Sequence, residues 1–384
     1  MKPHTRSKLS VAVLFGGPSA EHEISVLTAL QAISAMDSIT YDIVPVYMHV
    51  SGKFYVGDKL FDKKFYRNFS ADLVREVTLL PDPQSKGFLD VKTNKLLPVD
   101  VYFLCFHGQY GEDGCLQGLL ELKQQPYTGC SVITSALVMN KYMCKNLLEH
   151  HKVPVLPHVL VNKQDAMRDF SLVQSQICQN FDSFPLFVKP CHLGSSIGIS
   201  VCRDRSDLAS ALAKVFYYDD QALIEPCITH LMEINAAVLG GPQPQVSILE
   251  MPKATSEVLS YEDKYLRGGS KESSGSGMAS LSRIIDPDIP KELKEEISSY
   301  ALKAFTALGC SGVVRIDFMI DLDSGRVYFN ELNPIPGSLS FYLWEKSNPP
   351  LLYTEMLNHL IEQAFDRCRM KLSLQQNLDF KVLT

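Results

Sequence analysis

Two extended segments near the C-terminal third carry the side chains best suited to chemistry. Gly312-Val-Val-Arg315-Ile-Asp317-Phe-Met leads to a turn at Asp321-Leu-Asp-Ser-Gly325 and then to Val327-Tyr-Phe-Asn-Glu331-Leu-Asn333-Pro. The pattern predicts a β-hairpin, and its period of two puts Arg315 with Asp317 on one face and Glu331 with Asn333 likewise. Apolar residues fill the alternate positions. Two carboxylates and an amide inside apolar strands need a positive partner, and hard oxygen ligands suit Mg2+. Arg315 adds a permanent planar cation. A metal beside an arginine is a device for holding transferring phosphates and developing oxyanions, so the hairpin points to an ATP-using enzyme. A solvated hairpin with ordinary surface charges is the bland alternative.

Three further strings could meet that hairpin. Cys191-His-Leu-Gly194-Ser195-Ser196-Ile-Gly198 has the composition of a phosphate cradle, with Gly194 and Gly198 expected to take positive φ. It lacks the order of a P-loop, and Lys189 ends the strand before it. Gly16-Gly17-Pro-Ser19-Ala-Glu21-His22-Glu23 follows the first strand, where doubly wound sheets place ligands. Glu21 and Glu23 would equally serve as capping or dipole partners at a helix start. His107-Gly-Gln-Tyr-Gly-Glu-Asp-Gly114 repeats the strand-end position with a titratable ring, for which a satisfied structural histidine is the competing reading.

The elements that position these strings can be read from the apolar pattern. Val11 to Phe15, a helix over 25–36 and a strand over 43–49 predict a doubly wound parallel sheet, with 51–97 an elaboration of it. A strand over 99–106 and a helix over 116–123 complete this part. A helix over 134–151 carries Lys141 and Lys145 one turn apart. Strands over 159–161 and 185–189 frame a helix near 164–180, and strands follow over 221–225 and 233–239. The Gly/Ser-rich stretch 265–282 is read as a mobile loop. Helices over about 291–308 and 350–369 flank the hairpin. No internal repeat is present.

Composition sets the outer limits. With 384 residues, 46% hydrophobic and 21% charged, the chain can bury several cores and is expected to divide into two or three domains. A net charge of -6 does not suit nucleic acid or an anionic membrane as the main partner. Ten cysteines with no Cys-x-x-Cys spacing suggest neither a zinc site nor a disulfide framework, and a cytoplasmic location is expected. No signal-peptide core or stretch of transmembrane length is read.

Taken together the strings resemble the D-alanine:D-alanine ligases of the ATP-grasp superfamily from about Val11 to near Cys368. Gly16-Gly-Pro-Ser-Ala-Glu21-His-Glu-Ile-Ser25, His107-Gly-Gln-Tyr-Gly-Glu-Asp-Gly-Cys-Leu-Gln-Gly118, and Arg315-Ile-Asp317 with Glu331-Leu-Asn333-Pro-Ile-Pro-Gly337 carry the resemblance. It implies an α/β, partly α+β, ATP-grasp fold of three domains: an N-terminal doubly wound substrate domain over 1–130, a central subdomain over 131–224 and a C-terminal subdomain over 225–384. ATP would lie between the last two. Lys141, Lys189 and Lys264 would face phosphates, Glu225 and Ile228 adenine, and Glu233 the ribose, with Ser195 and Ser196 in the phosphate loop. Asp317, Glu331 and Asn333 match ligands of two Mg2+ ions, Mn2+ being an alternative. Glu21 would receive the ammonium of the first D-alanine, with His107 near its carboxylate; Ser195 and Tyr265 would link to Glu21, and Arg315 would stabilise the oxyanion.

The implied reaction activates one D-alanine as an acyl phosphate and joins it to a second, for peptidoglycan and hence cell-wall synthesis, with a homodimer as the expected assembly. Asn140 stands where the family commonly has aspartate and His22 where arginine is frequent. Gly337-Ser338-Leu-Ser340-Phe-Tyr-Leu-Trp344 replaces a threonine- and serine-rich segment that binds the second substrate's carboxylate. Gly337 and Ser338 are the expected contacts there, with Ser340 a further substitute. Tyr265 argues for the dipeptide, since relatives making D-alanyl-D-lactate tend to lack it. The competing readings are a ligase with another second substrate, such as D-lactate, D-serine or a different amino acid, and a regulatory nucleotide-binding protein without turnover.

Overall fold

The computed structural model describes residues 8–253 and 283–374. Lys264, Tyr265 and the expected mobile loop over 265–282 lie outside them. Among the described residues three sheets form. The first holds β1 (Leu9–Gly16), β2 (Tyr41–Met48), β3 (Phe54–Val56), β4 (Arg75–Thr78), β5 (Gly87–Asp90), β6 (Leu96–Pro98) and β7 (Val101–Leu104), in the order β6-β5-β4-β3-β2-β1-β7. The second holds β8 (Val159–Asn162), β9 (Leu186–Pro190), β10 (Ser200–Cys202) and β11 (Gln221–Pro226), in the order β10-β9-β11-β8. The third holds β12 (Leu231–Leu239), β13 (Gln245–Val246), β14 (Glu250–Pro252), β15 (Arg283–Ile285), β16 (Val313–Asp321) and β17 (Arg326–Asn333).

In the first sheet β1 pairs parallel with both β2 and β7, as its continuous apolar run predicts. The polar stretch after residue 51 continues this sheet as an antiparallel meander, β3 to β6. Each strand pairs antiparallel with the one before it, so the elaboration widens the sheet without a further crossover. The expected hairpin is β16 with β17, pairing Arg315 with Asn333 and Asp317 with Glu331. A bulge follows at Asp317/Phe318, which re-aims the strand next to its charged residues.

The helices are α1 (His22–Ala35), α2 (Cys115–Leu122), α3 (Val132–Met139), α4 (Lys141–His150), α5 (Lys163–Arg168), α6 (Phe170–Asn180), α7 (Leu208–Tyr218), α8 (Lys291–Ala307), α9 (Phe341–Trp344) and α10 (Tyr353–Ser373). Two helices expected to be continuous are broken. Asn140 interrupts the first and caps α4 by accepting from Met143 N, and Asp169 does the same for α6 through Leu172 N. In both cases a short polar side chain competes for the backbone and starts a new helix.

Packing joins distant parts of the chain. Val138, Cys144 and Leu148 of α3 and α4 share a core with Ile234, Val314, Phe318 and Phe329, so these helices pack with the third sheet rather than the second. The second sheet has its own core with Ile177, Leu212 and Val215. Met356, Leu360 and Ile361 of α10, with the single tryptophan Trp344, pack into the core of the first sheet. No helix among the described residues is long and apolar enough to cross a membrane.

Candidate active site

The carboxyl ends of β1 and β7 are tied by a buried hydroxyl: Ser25 Oγ donates to Cys105 O at 2.7 Å and accepts from Gly16 N at 2.7 Å. This fixes the start of α1 beneath the loop that follows β7. Glu21 is the N-cap of α1, yet its side chain makes no capping bond. Its carboxylate instead accepts a hydrogen bond from Ser195 Oγ, 174 residues away. The capping alternative for Glu21 therefore fails, and the N-terminal glycine string and the 191–198 loop meet as expected. Within that loop Gly198 takes a positive φ of 76°, but Gly194 does not; Ser195 and Ser196 occupy the left-handed region instead, at 53° and 58°. Serine tolerates this less well than glycine, and Ser195's hydroxyl gains the bond to Glu21 in that conformation.

His107 is buried at 6% exposure. Thr28 Oγ1 lies 2.9 Å from its Nε2 and accepts from Ser338 N at 3.0 Å. Burial, then the nearby Arg315 charge, push the imidazole down to about 3, while a backbone bond at Ile335 opposes them. The ring is thus neutral near pH 7. Beside it Glu112 accepts from Gly108 N at 2.5 Å and Ile335 N at 3.2 Å. Burial, reinforced by Glu21, drives its carboxyl well above the usual range. Through Thr28 and Glu112 the first lobe holds the segment 335–338. Sequence reasoning missed both; the position of Thr28 one and a half turns into a helix that begins at a ligand loop was the available signal.

Arg315 donates to Asp317 through Nε at 2.7 Å and Nη2 at 2.8 Å, a bidentate pair. Asn333 Nδ2 donates to the same carboxylate at 3.3 Å. Glu331 lies 3.8 Å from Lys141 Nζ. Burial disfavours the Arg315 charge, but Asp317 outweighs it and holds the guanidinium charged. The expected face therefore exists, with its carboxylates already balanced by cations.

Between the second and third sheets lies a cleft of about 720 Å³. Lys141, Lys189, Ser196, Glu225, Ile228, Glu233 and Glu331 all line it. Lys141 Nζ donates to Leu193 O, fastening the start of α4 to the 191–198 loop. Lys189 donates to Asn330 Oδ1 at 3.2 Å. The Glu225 carboxylate is taken by Lys145 at 2.6 Å and Lys189 at 2.5 Å. Burial pushes that carboxyl up, yet the two ammoniums pull it down to about 2. Lys145, wholly buried, was not foreseen as part of the site; its place four residues after Lys141 on a helix face with Leu148 was the only hint. Gly337 and Ser338 are buried under α1, with Ser338, Leu339 and Ser340 all left-handed at 54°, 50° and 52°.

Comparison with known proteins finds similarity over nearly the whole chain. Residues 10–130 match the family described as D-ala D-ala ligase N-terminus and residues 147–362 the D-ala D-ala ligase C-terminus. The chain is 38% identical to a D-alanine--D-alanine ligase of Caldicellulosiruptor bescii, covering 96% of this chain and 98% of that protein. It is 35% identical to one of Thermosipho africanus, with 97% of each covered. Among solved structures, the D-alanine-D-alanine ligase from Coxiella burnetii superposes with a TM-score of 0.78 at 28% identity, over 95% of this chain and 97% of that one. The VanG D-Ala:D-Ser ligase from Enterococcus faecalis gives 0.78 at 28% identity, over 93% and 99%. Strings, fold and cleft thus converge with these matches, and the chain belongs to the D-alanine--D-alanine ligase family.

Proposed function

We propose that this protein is an ATP-dependent ligase that joins two D-alanines into D-alanyl-D-alanine for peptidoglycan synthesis. The observation that carries this reading is the bond from Ser195 to Glu21, with buried Glu112 feeling both Glu21 and Arg315, in a chain whose two halves both match the family. ATP occupies the cleft in this reading, with Lys141, Lys189 and Ser196 toward its phosphates and Ile228, Glu225 and Glu233 toward adenine and ribose. Glu21 receives the ammonium of the first D-alanine, oriented by the bond from Ser195. Neutral His107 shapes the wall near the carboxylate without adding charge. That carboxylate attacks the γ-phosphate, giving an acyl phosphate and ADP; the amine of the second D-alanine, having lost a proton, then attacks the acyl carbon and phosphate leaves. Arg315 stabilises the oxyanion of that step.

Asp317, Glu331 and Asn333 offer hard oxygen donors on adjoining strand positions, and the arginine and lysine now facing them show a site that draws positive charge. They fit Mg2+, with two ions read here, which when bound would neutralise charge on the phosphates. Lys264 and Tyr265 keep the roles the family resemblance implies, the lysine toward phosphate and the tyrosine toward Glu21. We read 1–130, 131–224 and 225–384 as the three units of the chain, and the working form as a homodimer.

Incubation with ATP, Mg2+ and D-alanine, with D-lactate and D-serine supplied in parallel, tests the reaction. Phosphate release and a dipeptide with D-alanine alone are expected. Phosphate release only when D-lactate or D-serine is added would overturn the second substrate.

A further inference from the structure

At the mouth of the cleft α4 meets the loop after β9, and the two belong to different cores. α4 packs with the third sheet, whereas the loop leaves the second. Lys141 N donates to Cys191 O at 3.0 Å, Lys141 Nζ to Leu193 O, and Cys191 Sγ to Asn140 Oδ1 at 3.3 Å. A further bond joins Asn140 Nδ2 to His192 Nε2 at 2.9 Å. Of these groups only the histidine ring titrates ordinarily near neutral pH.

The protonation state of that bond follows from its neighbours. Asn140 Oδ1 accepts from Met143 N at 2.9 Å as the cap of α4, so its amide nitrogen faces His192 and Nε2 must accept. Nδ1 lies 2.9 Å from Asp219 Oδ1, while Asp219 Oδ2 accepts from His192 N at 2.8 Å. The ring that satisfies both contacts is neutral, with its proton on Nδ1. A proton on Nε2 would set two donors against each other. The charged groups facing the ring are Asp219 and Asp220, which favour the imidazolium, and Lys141, which opposes it; the Asp219 bond is the leading influence and raises the pKa above the usual 6.5. Acidification thus keeps the tie to Asp219 and breaks the tie to α4.

We propose that His192 is a positioning residue for ATP, its uncharged ring latching the 191–198 loop to the start of α4 across the cleft. The inference rests on the reading of that cleft as the ATP site. Its consequence is an affinity for ATP that weakens on acidification while the chemical step is spared.

Steady-state kinetics of the full-length enzyme across about pH 6 to about pH 8.5, for wild type, His192→Ala and Asn140→Asp, test it. In wild type, KM for ATP relative to that of H192A should rise roughly five- to tenfold toward the acid end, with kcat within about twofold, as expected for one lost hydrogen bond. Using H192A as the reference cancels the titration of ATP itself. In N140D a carboxylate accepts from the imidazolium, so the trend should reverse and ATP should bind best at the acid end. The latch is refuted if the wild-type and H192A profiles run parallel, if N140D follows wild type, or if acidification lowers the wild-type KM. The last result would mean that the ring acts by its charge on the phosphates. Absence of saturable ATP dependence in all three proteins would instead overturn the reading of the cleft.

Discussion

At the carboxyl end of β7 the chain buries a histidine that stays uncharged, because burial and the Arg315 guanidinium hold its pKa down to about 3. The unfolded chain takes up that proton near pH 6.5, so between about 6.5 and about 3 the unfolded state binds more protons than the native one. Stability therefore falls with falling pH across that window, by up to about 1.4 kcal/mol per unit from this group. His107→Gln should flatten the acid limb of stability measured by denaturant titration from about pH 7 to about pH 5, since glutamine carries no such proton. An unchanged limb would refute the account. The sequence showed a titratable ring at a strand end, but its neutrality depends on burial and on Arg315, and neither leaves a local pattern.

Two strands and a helix are pinned by one carboxylate at the next scale up. Glu225 on β11, 2% exposed, answers Lys145 on α4 and Lys189 on β9, and Lys145 also donates to Phe329 O of β17 at 3.2 Å. Glu225→Gln would leave two buried ammoniums without a counter-charge and should cost about 3–5 kcal/mol. Glu76→Gln, which breaks the exposed pair with Lys53 at 2.9 Å, should cost less than about 1 kcal/mol. Thermal unfolding of the two variants side by side checks this, and equal losses would sink it. The strands here were legible because apolar runs and period-two alternation survive any context. The breaks at Asn140 and Asp169 were not placed, because either residue can sit on a helix surface as readily as cap one. The left-handed pair at Ser195 and Ser196 was hidden for a related reason: glycine is the default bearer of positive φ, and serine takes it here together with its bond to Glu21.

Across the whole molecule, contacts between the end of the first lobe and the loop before β16 hold distant segments together. Ser311 Oγ donates to Gly129 O at 2.8 Å, and Arg367 of α10 donates to Tyr127 O at 2.6 Å and Ser311 Oγ at 2.7 Å. At Gly312, with φ of 74°, an added Cβ would stand 2.8 Å from Gly129 Cα and 3.0 Å from its nitrogen. Both are backbone atoms that cannot move alone. Gly312→Ala should therefore destabilise by about 1–3 kcal/mol, whereas Gly118→Ala, in a helix with open space around it, should stabilise by about 0.5–1 kcal/mol. Differential scanning calorimetry of both variants would show shifts of opposite sign, and a neutral G312A would refute the close approach. The ATP-grasp architecture could be read from the motifs. The crossing of α3 and α4 to the third sheet and the return of α10 to the first could not, since amphipathic helices do not specify which apolar face receives them.

That return places the only tryptophan of the chain, 3% exposed, four residues beyond Ser340 and inside the core of the first sheet. The protein thereby carries an intrinsic optical probe at one defined junction. Its emission reports the seating of the 337–344 segment against the N-terminal lobe, apart from events in the second sheet, whose core contains no tryptophan. Docking of that segment can be followed in the unmodified enzyme without an added label.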